Sequence, residues 1–352
     1  MISQLQDEFH LYDGQVPDFV EAELDTLYGV RYSTWPHFTA QFSFSHASTF
    51  TISRDGKMLA ILIFLVRKNV LTVLNEGIRV DSPTIATFAK YMFARNRHLD
   101  TIRFNAVEID SVRLNFPYYC AICASDLVMP LPAGRDWMST LSAQYRSQVR
   151  RNIRRMQSLH SSFVFELHEK EAVDPRDVSS IIDMNTARMT LKKKKASIDA
   201  VEKTRIMDFV RKRGFVGVIR IQGELRAGVI LYRLGNNYAL RTLAHDAAYD
   251  HYSIGITALV LTIERAAMEK IGGTFFFGWG DEGYKRRLGA HQRELRRLIV
   301  YRTSWSFLQH PGITLGAVLA GVALKARHRL HRMRRSALME KMWSAASIAR
   351  PS

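Results

Sequence analysis

The order of elements in this chain predicts an α/β fold of the α+β kind, with mixed, mostly antiparallel sheets flanked by helices. Three observations lead there. Short β-branched and aliphatic runs alternate with stretches of helical period in both halves of the sequence. Between residues 215 and 246 such runs are separated only by tight turns, the mark of an antiparallel meander. With 352 residues, 47% hydrophobic and 24% charged, the chain exceeds one average domain and can bury a sizeable core.

The elements follow in order. From Ser48 to Glu76 the sequence reads as strands, with Arg54-Asp55-Gly56-Lys57 as a hairpin turn. "SPTIATFAKYMFARNRHL" is a helix: Ser82 reads as its N-cap and Pro83 as its first residue, with apolar positions 85, 88, 92 and 93 on one side. "TIRFNAV" and "YYCAICASDLVM" are strands. A strand points Cys120 and Cys123 to opposite faces, and no second pair completes a zinc site. These cysteines therefore read as buried and structural, with no metal expected.

"DWMSTLSAQYRSQVRRNIRRMQSLH" is an amphipathic helix with Trp137, Leu141, Tyr145, Val149, Ile153 and Met156 as its stripe. Its other side carries Arg146, Arg150, Arg151, Arg154 and Arg155 without an interleaved acid, either as a solvated face or as a contact for an anion. Then come the strand "SFVFELH", helices over 174–191 and 199–214, and the meander "FVGVIRI", "RAGVILYRL", "YALRTLAHD". "IGITALVLTIERAAMEKIGG" is a helix closed by Gly272 and Gly273; "TFFFGW" is a strand, "DEGYKRRL" a helical turn and "LRRLIVYR" a last strand. Four pieces are expected: a domain over 1–134, an arginine-rich connecting helix over 135–160, a second domain over 161–310 and a basic amphipathic helix over 311–352.

Charge narrows the partners. Fifty Lys and Arg against 33 Asp and Glu give +17, which suits nucleic acid, an anionic membrane surface or a phosphate-rich donor. No helix-turn-helix pairing stands out, so DNA is not expected. "GITLGAVLAGVAL" is too short to span a bilayer. The eight basic residues after it, against Glu340 alone, suit a helix lying on anionic lipid. "MISQLQDEFHLYDG" has no signal-peptide pattern, so a cytoplasmic protein is expected, peripheral at the inner membrane if that helix binds lipid.

Three stretches, "LSAQYRSQVRRNIRRM", "AHDAAYDHYSIGITAL" and "FFFGWGDEGYKRRLG", together with the element order over 160–303, resemble the GNAT acyltransferase superfamily. The chain resembles tandem GNAT-like domains of the FemAB type, and more closely the CelD/BioF-like acetyltransferases of bacterial exopolysaccharide and cellulose genes. The resemblance implies an N- or O-acetyltransferase. It would use acetyl-CoA or another acyl-CoA as donor and a sugar or amine as acceptor. A FemAB-like enzyme fed by aminoacyl-tRNA is the second reading, and a catalytically dead, basic interaction protein the third.

The residues themselves carry candidate chemistry. Tyr252, Ser253, Ile254, Gly255, Ile256 and Thr257 lie where a strand gives way to a helix, and free N–H groups there attract a donor phosphate. A plain serine cap at Ser253 is the alternative. His245 is a candidate general base, or a histidine simply bonded to Asp246. Asp281 and Glu282 end a strand and could bind the acceptor or act as base; otherwise they form an N-cap and surface ion pairs. The resemblance implies that the backbone of Leu243 or Ala244 polarises the thioester carbonyl. It also implies that Tyr284 protonates the departing thiolate. Lys285 would hold a phosphate or support the oxyanion, and the family's usual phosphate loop, Q/R-x-x-G-x-G/A, is matched here by "HYSIGIT", which offers Gly255 with isoleucine before and after it.

Overall fold

The computed structural model describes residues 7–41, 46–133, 136–191, 198–269, 272–278 and 283–309. The chain opens with β1 (Glu8–Tyr12), α1 (Phe19–Leu27), α2 (Trp35–Gln41), β2 (Ser48–Arg54), β3 (Lys57–Arg67) and β4 (Val70–Val73). It continues through α3 (Ser82–Arg95), β5 (Thr101–Val107), β6 (Tyr118–Leu131), α4 (Ala143–Leu159) and β7 (Val164–Glu169). Then follow α5 (Pro175–Leu191), α6 (Ala200–Arg213), β8 (Gly214–Ile221), β9 (Glu224–Leu234) and β10 (Asn237–His245). The last are α7 (Ile254–Met268), β11 (Gly273–Gly278), α8 (Gly283–Arg287), β12 (His291–Tyr301) and α9 (Ser304–Gln309). This is the mixed, mostly antiparallel α/β architecture that the element order predicts. No described helix is long and apolar enough to cross a membrane.

Two compact units divide the chain, and they interleave along it. One joins the first 61 residues to Ser125–Arg293; the other joins Leu62–Ala124 to the chain from Glu294 onward. The expected division into consecutive pieces at 134 and 160 does not coincide with these units, because strand pairing joins segments far apart in sequence. The basic helix expected over 311–352 and the lysines at 192–195 lie outside the described residues.

In the second unit β3 pairs with β4 and β5 with β12, both antiparallel, while β4 and β5 run parallel with α3 between them. The Phe88 ring of α3 meets Phe64 and Phe104 at 5.6 and 6.3 Å. The cap of α3 is Asp81, not Ser82: its carboxylate accepts the Thr84 N–H at 2.9 Å. A carboxylate suits the positive helix end better than a hydroxyl. Ser82 instead donates its hydroxyl to the Ser111 carbonyl at 2.8 Å. Cys120 and Cys123 are free thiols on β6, and the Cys123 thiol donates to the Asn105 carbonyl at 3.1 Å. Burial pushes the Cys123 thiol up to about 11, which removes the thiolate that redox or metal chemistry needs.

In the first unit six strands lie side by side in the order β6, β11, β10, β9, β8, β7. All neighbours are antiparallel except β10 and β11, a parallel pair joined through α7. The two-residue period sorts β9 cleanly. Ala227, Val229 and Leu231 enter one core with α4 and α7, while Ile230, Tyr232 and Leu234 enter the other with α5 and α6. The predicted helix over 136–160 is broken in two. Asp136 caps a short 3-10 turn, Trp137–Thr140, and Ser142 caps α4 by accepting the Tyr145 N–H at 3.3 Å. The N-terminal segment is tied to this unit by an Arg213–Asp25 ion pair and by Asn237, whose amide donates to the Gly29 carbonyl at 3.0 Å.

Gly217 of β8 is where α7 comes closest: a Cβ there would lie 2.0 Å from the Thr262 hydroxyl oxygen. Gly217→Ala is expected to destabilise the fold by about 1–3 kcal/mol in denaturant unfolding, with part of the loss recovered when Thr262→Ala is added.

Candidate active site

Strands β10 and β11 are paired over two positions, Tyr238 with Phe275 and Ala239 with Phe276. Beyond them β10 continues to His245 with β9 as its partner. A register shift between Leu240 and Thr242 makes Arg241 the bulged residue at the point of parting. The edge of β10 that faced β11 is thereby opened.

The ladder shows which backbone groups face that gap. The Asp246 N–H donates to the Arg226 carbonyl at 2.8 Å, so Asp246 and Arg226 belong to a hydrogen-bonded pair. Bonded and non-bonded pairs alternate in an antiparallel ladder. Ala244 with Gly228 is therefore the next bonded pair, and Leu243 with Val229 lies between bonded pairs. The N–H and C=O of Leu243 turn away from β9, toward the gap, while those of Ala244 are used by β9. Of the two backbone candidates, Leu243 is the one aimed into the split. Its carbonyl accepts from the Arg188 guanidinium of α5 at 3.3 Å, and its N–H faces the gap. Nothing in the spacing of the sequence marks Arg188; only the approach of α5 to β10 brings it here.

His245 ends β10. Its Nε2 is bonded to the Asp250 carboxylate rather than to Asp246. Asp246 is occupied elsewhere: it takes the Arg226 guanidinium at 2.9 Å and caps the 3-10 turn Ala247–Tyr252 through the Ala248 N–H at 3.0 Å. A carboxylate on Nε2 favours the tautomer with its proton there, leaving a lone pair on Nδ1. That Nδ1 is buried with no hydrogen-bond partner among the described residues, and a Cβ on Gly255 would lie 2.5 Å from it. Two candidates distant in role are thus in contact: Gly255 is bare so that α7 can begin against the His245 ring.

Ser253 does not cap α7. It is left-handed (φ 56°, ψ 37°), and its side chain makes no capping hydrogen bond. Ile254, Gly255 and Thr257 are buried, and Ile256 and Tyr252 flank the core. The first-turn N–H groups have no acceptor within the helix and carry its positive end. Tyr252 lies 5.3 Å below the Arg155 guanidinium and meets the His160 ring edge-on at 5.7 Å. The arginines of α4 therefore divide. Arg146 donates to the carbonyls of Met138, Ser139 and Leu141; Arg155 covers Tyr252; Arg150, Arg151 and Arg154 are exposed.

Tyr284 and Lys285 sit on α8. Tyr284 is half-buried against the same core that holds Leu243, Tyr252 and Ile256. Lys285 is buried at 4% exposure, and its ammonium donates to the Phe277 carbonyl at 3.3 Å, fastening α8 to the end of β11. Asp281 and Glu282 lie outside the described residues. Among the described residues, no group of three His, Cys, Asp or Glu could hold a metal ion.

Residues 143–286 match the family described as "Acetyltransferase (GNAT) domain". FemX is a similar solved structure, with 11% identity, 83% of this chain and 96% of FemX covered, and a TM-score of 0.58. The chain has a GNAT-superfamily fold of the FemAB-like kind. The L-PGS of Bacillus licheniformis is also similar, at 13% identity, 69% and 81% coverage and a TM-score of 0.44. So is a tandem GNAT protein from the clavulanic acid biosynthesis pathway, at 10% identity, 83% and 98% coverage and a TM-score of 0.38. No curated protein matches the sequence. The GNAT match opens on the first residue of α4 and closes inside α8, so it spans every candidate residue named above.

Gly255→Ala is expected to push the His245 ring out of place and to destabilise the fold by about 1–3 kcal/mol. Nitrogen-15 spectra of His245 should show the Nε2–H tautomer in the parent chain and lose it in Asp250→Asn.

Proposed function

We propose that this GNAT-fold acyltransferase moves an acyl group from a coenzyme A thioester to an amine or hydroxyl of an acceptor. The single observation that carries the reading is the opened edge of β10, with the Leu243 N–H facing the gap beside the N-terminus of α7. The donor supplies an activated thioester carbonyl. The residues of this chain supply the rest.

The positive end of α7 receives the donor phosphates, with Arg155 above Tyr252 adding charge at its entrance. The Leu243 N–H hydrogen-bonds the thioester oxygen and holds it more strongly as it becomes an oxyanion. Attack by the acceptor forms the new C–N or C–O bond, and collapse breaks the C–S bond. Tyr284 gives its phenolic proton to the leaving thiolate. Asp281 and Glu282, just ahead of α8 in sequence, take the acceptor's proton. His245, whose Nδ1 is buried against Gly255, acts as a positioning residue: it fixes where α7 starts relative to β10. The resemblance to the CelD/BioF-like family supports an acceptor from exopolysaccharide or cell-envelope synthesis, with the protein acting in the cytoplasm.

A second reading keeps the fold and makes aminoacyl-tRNA the donor. The exposed Arg150, Arg151 and Arg154 on one helix and the net charge of +17 support it, because RNA binding draws on such charge.

Saturating acetyl-CoA is expected to raise the melting temperature by several degrees, and Tyr284→Phe to lower kcat by about 10²–10⁴ while acetyl-CoA binding is kept. No shift at millimolar acetyl-CoA, together with transfer from a charged tRNA, would establish the second reading in place of the first.

A further inference from the structure

Four strand ends line up in the second unit. Arg67 of β3 pairs with Val70 of β4, Val70 with Thr101 of β5, and Thr101 with Tyr301 of β12. Backbone hydrogen bonds join the loops beyond them. The Asn69 carbonyl accepts the N–H groups of Asp100 and Thr101 at 2.9 and 3.2 Å, and the Asp100 carbonyl accepts the Arg302 N–H at 2.9 Å. The Arg302 guanidinium, 5.0 Å from the Phe93 ring, donates to the Leu99 carbonyl at 2.7 Å and to the carbonyl of Asn96. The turn over 66–69, the loop over 96–100 and α9 are thereby held side by side.

α9 faces the wrong way for a helix that serves the core. Its buried residue is Ser306, whose N–H donates to the Thr303 hydroxyl at 3.1 Å. Trp305 and Leu308, three apart and so on one face, are 66% and 64% exposed. Val66, at the end of β3, is exposed as well. With these apolar groups stand Arg67, Lys68, Arg97 and His98, all exposed. Asp100 is the one acid in the three segments, and its carboxylate accepts the Asn69 amide at 2.6 Å.

An exposed tryptophan and leucine accompanied by bases fit the boundary of a bilayer. The ring and the alkyl chain suit the head-group level, and the bases suit anionic head groups. The sequence after α9 has the same make-up: "GITLGAVLAGVAL", then eight Lys and Arg between Lys325 and Arg350 against Glu340 alone. RNA would use the bases but offers Leu308 and that apolar run nothing to enter. We propose that this end of the second unit docks on an anionic lipid surface. Trp305 and Leu308 enter the head-group boundary, while Arg67, Lys68 and Arg97 meet the lipid charges. The docking surface is independent of the acyl-transfer reading.

The test is co-sedimentation of the full chain with phosphatidylcholine vesicles, with and without phosphatidylglycerol. Binding is expected to the anionic vesicles only, and it should weaken steeply with added salt. Trp305→Ala with Leu308→Ser should weaken it at least about tenfold. Arg67→Gln with Lys68→Gln and Arg97→Gln should do the same. Melting temperatures should be kept, because these side chains are exposed. Brominated lipid should quench the tryptophan emission of the parent chain, and less so in Trp305→Phe, which reads insertion without a large-to-small change. Absence of binding to anionic vesicles, or equal binding to neutral ones, would overturn the proposal. So would vesicle binding that both sets of variants leave unaltered, since the contact would then belong to the residues after Gln309 alone. Capture of tRNA without vesicle binding would also overturn it, as would self-association that Trp305→Ala abolishes without vesicle binding.

Discussion

Two residue pairs hold β10 to β11 among the described residues, and the candidate residues of this chain gather where they part. Past Ala239 and Phe276, among the described residues, the backbone of β10 is paired with β9 alone. An unpaired strand edge inside a sheet is normally a liability, because N–H and C=O groups need partners. Here the ladder phase settles which groups are exposed: those of Ala244 are spent on β9, and those of Leu243 face the gap. Arg188 then takes the carbonyl and leaves the amide N–H.

What keeps the opening in place is packing on both faces. On one face α7 starts directly against the His245 ring, an approach that only a residue without a Cβ allows at position 255. Asp250 holds the far side of that ring, and Asp246 is drawn off by Arg226, so the two acids that follow His245 have separate tasks. On the other face α5 and α6 pack on Val216, Val218 and Ile230, and Arg241 reaches from the bulge to Glu202. Lys285 closes the arrangement by fastening α8, and with it Tyr284, to the last turn of β11. A charge buried for this purpose is expensive, which argues that the position of α8 matters.

The electrostatics of the described residues follow the same geography. On α4 Arg155 covers Tyr252 at the start of α7 while Arg150, Arg151 and Arg154 are exposed, and Arg31 and Arg241 both reach Glu202 on the opposite face.

The sequence by itself determined the elements and much of their order. The meander of β8, β9 and β10 was legible from two-residue alternation between turns, α6 from its Asp199 cap, and α7 from its apolar stripe. It also singled out His245 and Gly255, which the structure brings into contact, because both stand in motifs. Local pattern stops there. It set a helix cap at Ser82 where the stronger acceptor, Asp81, prevails; it read one helix where Ser142 restarts a second; and it offered Asp246 as the partner of His245 where the chain turns Asp250 to it. Only the tertiary structure decided that Leu243, not Ala244, faces the gap, and that Arg188 and Arg241 belong beside it. The physical reason is that hydrogen-bond phase and side-chain convergence depend on neighbours brought from far along the chain. Arg31 and Arg241, 210 positions apart, meet on one carboxylate through strand and helix packing that no local spacing encodes.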